Sequence, residues 1–345
     1  MGVELNRRHA VTGALAMGAG LAAPVAACAK VNGDADWRAF KRRFLAADGR
    51  IIDTGNDAIS HSEGQGFALL LAQAYGDRRA FDLIWGWTRR TLQRPDGLFA
   101  WRYDPRKSPA VDDPNNATDG DVFLAWALLR AAAQTRNTDY AQASARIRGA
   151  IGRRLIARWD GLSLILPGLE GFLAGEVVTY NPSYFIAPAV QAFHAAAPNE
   201  GWDGVLRDGL VLAERARFSH LGLPTDWTQH GVGGAVTPAP GRPPRFGFDA
   251  LRAPLYLAWG GYMDHAQVQA ARSFWTPHLI GRSPPPAWVD VANGTQADYG
   301  LSSGGQALAA MVCGLPRPAL QFEDYYSAAL GLLAAVADKE RAALP

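Results

Sequence analysis

The chain has 345 residues, 48% of them hydrophobic and 19% charged, the balance of a globular protein with ample material for a core, in one large domain or two average ones. Its net charge of +2, carried by scattered arginines, excludes an electrostatic case for a nucleic-acid partner, and its two cysteines exclude a disulfide framework. The 11 Trp and 10 Tyr point elsewhere, because flat rings with a polar handle suit a ligand with apolar faces and hydroxyl edges.

Residues 1–29 read as an export signal rather than as part of the fold. Arg7 and Arg8 precede a Gly- and Ala-rich run over 10–23 that is too short to span a membrane. The paired arginines resemble a twin-arginine signal, while Val25-Ala26-Ala27-Cys28 resembles a lipobox in which Cys28 would carry a lipid anchor. Both fates imply a periplasmic or secreted protein whose single folded domain covers 30–345. Cys313 then has no partner and, set in the apolar run 307–313, reads as a buried small hydrophobe.

Helical spacing predicts a first helix over 37–45. The stretch His61-Ser62-Glu63-Gly64-Gln65-Gly66-Phe67 opens a second, apolar helix running to about residue 75, with Ser60 and Ser62 offering hydroxyls for its cap. A carboxylate in a first turn is ordinarily a complement to the helix dipole, favoured by under about 1 kcal/mol. Glu63, however, is flanked by Gly64 and Gly66, whose small size leaves room for close approach. An amphipathic helix over 79–92 and a Gly/Pro loop bearing Trp101 follow. Asp119 opens an apolar helix over 122–133, and a more polar one is expected over 140–159. A loop with short strands over 161–178 leads to Asn181-Pro182-Ser183-Tyr184 and a helix to about 196, then to another over 202–218. A long loop over 221–245 carries Asp226 and Trp227. Phe248-Asp249-Ala250-Leu251-Arg252 opens a helix to 262; others follow over 266–275, 305–313 and 322–338.

Small or polar openings before apolar helices thus recur near Glu63, Asp119, Ser183, Asp249 and Ser303, with a more polar helix between each pair. A helix apolar all round is buried, and a polar-faced partner covers it. Alternating inner and outer helices describe an all-α toroid. If its inner helices run parallel, Glu63, Asp119, Tyr184 and Asp249 meet at one end, flanked by Trp101, Asp226, Trp227 and Trp288. Carboxylates without a metal motif, set among aromatic rings, suit glycoside hydrolysis, in which one carboxylic acid protonates the leaving oxygen and a second carboxylate activates water or attacks the sugar.

Ser62-Glu63-Gly64-Gln65-Gly66-Phe67, Ala117-Thr118-Asp119-Gly120-Asp121, Asn181-Pro182-Ser183-Tyr184 and Phe248-Asp249-Ala250-Leu251-Arg252, in that order, resemble the motif set of glycoside hydrolase family 8, most closely the bacterial endoglucanases associated with cellulose synthesis. The resemblance implies an (α/α)6 barrel and an inverting endo-β-1,4-glucanase that needs no metal or cofactor. It implies Glu63 as general acid, Asp249 as the base that activates water, and Asp119 as the carboxylate that holds the sugar beside the scissile bond. Tyr184, Arg252 and Asn181 match positions around that subsite, and Trp101 looks like a stacking platform. The base can lie elsewhere in parts of the family, with Asp119 the rival here, and the family usually has Tyr where Phe67 stands. The implied partners are a β-glucan and, through the cellulose association, the synthesis machinery.

Other motifs fail on spacing. Asp119-Gly120-Asp121 does not continue as an EF-hand loop, Gly64-Gln65-Gly66 lacks the third glycine and the strand of a dinucleotide site, and the histidines lack zinc spacing. His61, beside Glu63, reads as structural. Two alternatives stay open: the same fold acting on chitosan, xylan or mixed-linkage glucan, and a glycan-binding protein without turnover.

Overall fold

Eleven α-helices organise residues 34–343, which are those described by the computed structural model; residues 1–29, read above as an export signal, lie outside them with Cys28. They are α1 (Asp34–Phe44), α2 (Ser62–Ala74), α3 (Arg78–Leu92), α4 (Thr118–Thr135), α5 (Thr138–Arg154), α6 (Ala187–Ala196), α7 (Trp202–Arg215), α8 (Arg252–Trp259), α9 (Ala266–Ile280), α10 (Ser303–Cys313) and α11 (Tyr325–Arg341). In α2 every residue except Glu63 is buried, and α8 is buried throughout. Helices α3 and α7 instead bury one face and leave arginines outside. That contrast sorts the inner ring (α2, α4, α6, α8, α10, α11) from the outer helices. The ring closes where α11 packs against α2.

Close backbone approach sets the inner ring. A Cβ on Gly66 would stand 2.7 Å from that of Phe123, and one on Gly120 would stand 2.7 Å from the backbone nitrogen of Glu63, so α2 and α4 cross at their first turns. At the other end, the Arg130 guanidinium bonds Gln73 and Glu340, and Trp259 Nε1 donates to Glu340 at 2.9 Å, joining α4, α2, α11 and α8.

The alternation of inner and outer helices breaks once. Helices α10 and α11 are both inner and both start at the same end: Gly304 N donates to Ser327 Oγ at 3.1 Å, and Ser303 Oγ donates to Glu323 at 2.8 Å. Residues 315–324, without helix or strand, run back between them where an outer helix would otherwise stand.

Three expectations are corrected locally. Helix α5 stops at Arg154, because Asp160 and Gly161, both with positive φ, form a two-residue turn between antiparallel strands Ile156–Trp159 and Leu162–Ile165. The helices expected from 181 and 248 begin later, at Ala187 and Arg252, where Pro188 and Pro254 can occupy a first turn; a short 3-10 turn, Pro182–Tyr184, precedes the first. The stretch 221–245 is not all loop: Thr228–Gly231 and Val236–Pro238 join Leu173–Ala174 and Val177–Tyr180 in a four-stranded antiparallel sheet.

Gly304 tests the parallel packing of α10 and α11. A Cβ there would lie 1.7 Å from the Ser327 carbonyl oxygen. Gly304→Ala should therefore cost about 2 kcal/mol, over-packing outweighing the better helix propensity of Ala. Urea unfolding reads this directly, and an unchanged midpoint would contradict the packing.

Candidate active site

The first turn of α2 is fixed by a histidine rather than a serine. Gly64 N donates to His61 Nδ1 at 3.1 Å, while Ser60 Oγ donates to the Ile51 carbonyl at 2.5 Å, so the expected serine caps are replaced. With Nδ1 accepting, the ring must be neutral and carry its proton on Nε2, which faces Asp53 Oδ2 at 3.1 Å. The same bond rules out an ion pair with Glu63, whose Oε2 lies 3.9 Å from Nδ1. Gly64 must be glycine, since a Cβ would meet the Tyr325 hydroxyl at 2.7 Å.

Arg252, the first residue of α8 and 2% exposed, joins the carboxylates. One terminal nitrogen donates to Glu63 Oε1 and lies 3.6 Å from Asp119 Oδ2; the other donates to Asp249 Oδ1 at 2.6 Å. Asn181 Nδ2 donates to Asp249 Oδ2 at 3.1 Å. Five residues predicted from four distant motifs thus form one cluster, at the end where α2, α4, α8 and α11 begin. Asp119 and Asp121 part company: the latter turns away to accept from Phe99 N at 2.9 Å and Asn116 Nδ2 at 2.8 Å. Among the described residues no group of His, Cys, Asp or Glu is arranged to hold a metal ion.

The electrostatics reverse one expectation. A general acid must hold its proton near working pH, which asks for a raised Glu63, as like-charge repulsion from Asp119 would give. Burial does push Glu63 up, but the Arg252 charge and the hydrogen bonds from Asp119 and Arg252 outweigh it, holding its carboxyl below the usual value. Asp119 is the raised member, well above its ordinary value, through burial and then the Glu63 charge. Of the two coupled carboxyls, Asp119 therefore keeps a proton to higher pH than Glu63, because Arg252 bonds Glu63 directly. Asp249 is raised by burial and by the Glu63 charge, against the opposing effect of Arg252. Its side chain is 34% exposed, the most open of the carboxylates around Arg252.

Asp226 does not reach Arg252 in this arrangement. Its Oδ1 accepts from the backbone N–H of Asp249 at 3.0 Å and of Ala250 at 2.8 Å. Tyr184 is half-buried, its phenol raised by burial and then by the charges of Asp119, Asp249 and Glu63. Its ring lies 6.4 Å from that of Trp227, which stacks on Phe172 at 5.8 Å and 5° and carries Arg242 at 4.1 Å. Trp101 is half-buried, accepts the Ser62 N–H at its carbonyl and donates from Nε1 to Asp113 at 2.7 Å, so it stands beside the start of α2. Trp288 is covered by the Arg245 guanidinium at 3.7 Å.

Two residues escaped the sequence reading. Tyr326 donates to the Phe248 carbonyl at 2.5 Å, next to Asp249, and its ring lies 6.0 Å from the Arg252 guanidinium; Tyr325 meets Gly64 from the neighbouring position. Their signal was available, a Tyr-Tyr pair after the capping Asp324 at the start of an apolar helix. Phe67, where the resemblance expects a hydroxyl, is fully buried edge-on to Phe123 and lies 5.9 Å from Arg252.

The chain as a whole is similar to known glycoside hydrolases. The sequence profile described as Glycosyl hydrolases family 8 matches residues 8–340. An endoglucanase of Cellulomonas uda is 40% identical over 281 residues, 81% of this chain and 77% of that protein. A probable endoglucanase of Novacetimonas hansenii is 38% identical over 88% of this chain and 90% of its own length. The crystal structure of endoglucanase Cel10, a family 8 glycosyl hydrolase from Klebsiella pneumoniae, superposes with a TM-score of 0.86 at 39% identity, covering 89% of this chain and 99% of that one.

Replacing Arg252 by methionine leaves Glu63 and Asp249 without their counter-charge, a loss of about 3 kcal/mol for a buried pair. The pH dependence has a definite sign. Without Arg252 both carboxyls have folded-state values raised above the unfolded ones, so the deficit is absent well below pH 4 and grows as pH rises through those raised values. Urea unfolding of Arg252→Met should therefore show a larger deficit against wild type at pH 8 than at pH 5; equal deficits would show that the charge is not what Arg252 contributes.

Proposed function

The chain belongs to glycosyl hydrolases family 8, and on that premise we propose that Glu63 and Asp249 carry out single-displacement hydrolysis of a β-1,4-glucan. The protein is a glycoside hydrolase, an endo-acting glucanase of the cellulase type. The observation that carries the assignment is the position of Glu63 and Asp249 on opposite arms of one guanidinium, at the end of the inner ring where α2 and α8 start.

In this reading the glycosidic oxygen sits against Glu63 and the water against Asp249. Glu63 donates its proton to the leaving oxygen as the bond to the anomeric carbon breaks. Asp249 takes a proton from the water, which attacks that carbon from the opposite face, so the configuration inverts. Asp249 suits the base because it is the most exposed of the cluster and because Arg252 and Asn181 orient both its oxygens. Glu63 needs a proton that the free enzyme keeps on Asp119, its hydrogen-bond partner. A sugar pressed against Asp119 and Arg252 removes water from Glu63 and loosens its ion pair, and both changes favour transfer of that proton to Glu63. Trp101, Tyr184 and Trp227 supply ring faces and a hydroxyl for the glucan, and Asn181 helps hold the base.

The biological setting follows the same reading. Residues 1–29 export the chain, by a twin-arginine route or as a lipoprotein anchored at Cys28, and the enzyme trims cellulose in the periplasm or outside the cell, beside the machinery that makes it. No helix among the described residues is long and apolar enough to cross a membrane.

Glu63→Gln and Asp249→Asn should each lower kcat on a soluble cellulose derivative by about 10³-fold or more while the unfolding transition persists. The first sugar released by wild type, followed by proton NMR, should be the α-anomer. Near-normal turnover in either variant would remove that residue from its role, and an initial β-anomer would reject the single displacement. Parallel assays on chitosan, xylan and mixed-linkage glucan fix the polymer.

A further inference from the structure

Asp226 lies under the turn that presents Asp249, and its contacts are with backbone rather than with open space. Oδ1 accepts two successive N–H groups, Asp249 at 3.0 Å and Ala250 at 2.8 Å, and Gly247 N also donates to this carboxyl. The turn 247–250 is therefore wrapped around one side chain. The site is built to admit it, since a Cβ on Gly247 would stand 2.7 Å from Asp226 Oδ2. Asp226 is itself anchored by its own N–H, which donates to the Arg245 carbonyl at 2.8 Å, just before the turn. Phe248, the turn residue between Gly247 and Asp249, is held on its other side by Tyr326.

This arrangement differs from a sugar-binding carboxylate, which would offer its oxygens to the cleft. We propose that Asp226 is a positioning residue: it fixes the backbone of residues 247–250 so that the Asp249 carboxylate meets the attacking water. The proposal rests on Asp249 being the base. Burial and the nearby Asp249 charge raise Asp226 to about 7, the cost of placing a second carboxyl there, and three backbone donors offset it in part.

Geometry and charge separate in the variants. Asp226→Asn keeps an oxygen for the Asp249 and Ala250 N–H groups but sets an amide against Gly247 N. Asp226→Ala removes every acceptor. Gly247→Ala leaves Asp226 in place chemically and pushes its carboxylate aside; Gly247 does not need a positive φ, so the backbone accepts Ala. A misplaced base slows the chemical step without changing how the polymer is held.

The experiment measures kcat and KM on a soluble cellulose derivative for the three variants, with Asp249→Asn in parallel and each unfolding midpoint recorded. Expected are a loss in kcat of roughly 100-fold for Asp226→Ala, about 10-fold for Gly247→Ala and a loss smaller than that of Ala for Asp226→Asn, all with KM within about two-fold of wild type. A raised KM with kcat preserved in Asp226→Ala would overturn the proposal in favour of sugar binding, as would full activity in that variant. Should Asp226→Ala not fold, Gly247→Ala and Asp226→Asn decide by the same kcat and KM criterion. An active Asp249→Asn would instead overturn the assignment of the base, a result separate from any failure at Asp226.

Discussion

One guanidinium holds the candidate site together. Arg252 is fully buried, bonds Glu63 and Asp249 and lies close to Asp119, so the carboxylates can share a small volume only because a permanent positive charge stands among them. Each would otherwise be driven to keep its proton by burial and by its neighbours. Arginine suits this place better than lysine, because its planar fork reaches two acceptors at fixed geometry and it cannot be deprotonated there. The aromatic shell reinforces the charge: Phe67 and Tyr326 both bring ring faces to within about 6 Å of it.

The barrel exists to bring such groups together from far apart in the chain. Residues 63 and 252 meet because the inner helices start at one end and their first turns are packed backbone to backbone, with Gly66 and Gly120 permitting the approach of α2 and α4. Parallel α10 and α11 extend the same logic. By running residues 315–324 back without a helix, the chain places a further helix start, with Tyr325 and Tyr326, at the site rather than on the far side.

Much of this was legible in the sequence because each carboxylate interrupts an otherwise apolar helix start, and such a residue stands out whatever surrounds it. Glu63, Asp119 and Asp249 were found in that way and lie together; the motif resemblance added Arg252 and supplied the roles proposed for all four. What was not legible depends on partners distant in sequence. His61 replaced the serines as cap because Asp53 accepts a hydrogen bond from its Nε2, and nothing local to 60–63 says so. The direction of α10 relative to α11 is a matter of a non-helical return. Asp160-Gly161 was a local signal passed over, since the arginines before it prolong a helical pattern into what is a hairpin. Asp226 was placed in the right neighbourhood by its adjacent Trp227, but only coordinates distinguish a carboxylate facing a sugar from one facing the backbone beneath Asp249.

The same distinction bears on the proton that catalysis requires. Sequence logic asks what raises Glu63, because an acid must hold its proton. The structure favours a different arrangement: burial and the Glu63 charge raise Asp119 while Arg252 lowers Glu63, so on the proposed roles the proton is retained beside the acid more readily than on it. A donor loaded in the free enzyme would have to be buried away from Arg252, and the base would then lose the partner that orients it, since one guanidinium serves both. Storing the proton one hydrogen bond away removes that conflict. On the proposed roles it lets Arg252 organise acid and base together, and it makes loading of the acid depend on what enters the cleft and displaces water from Glu63.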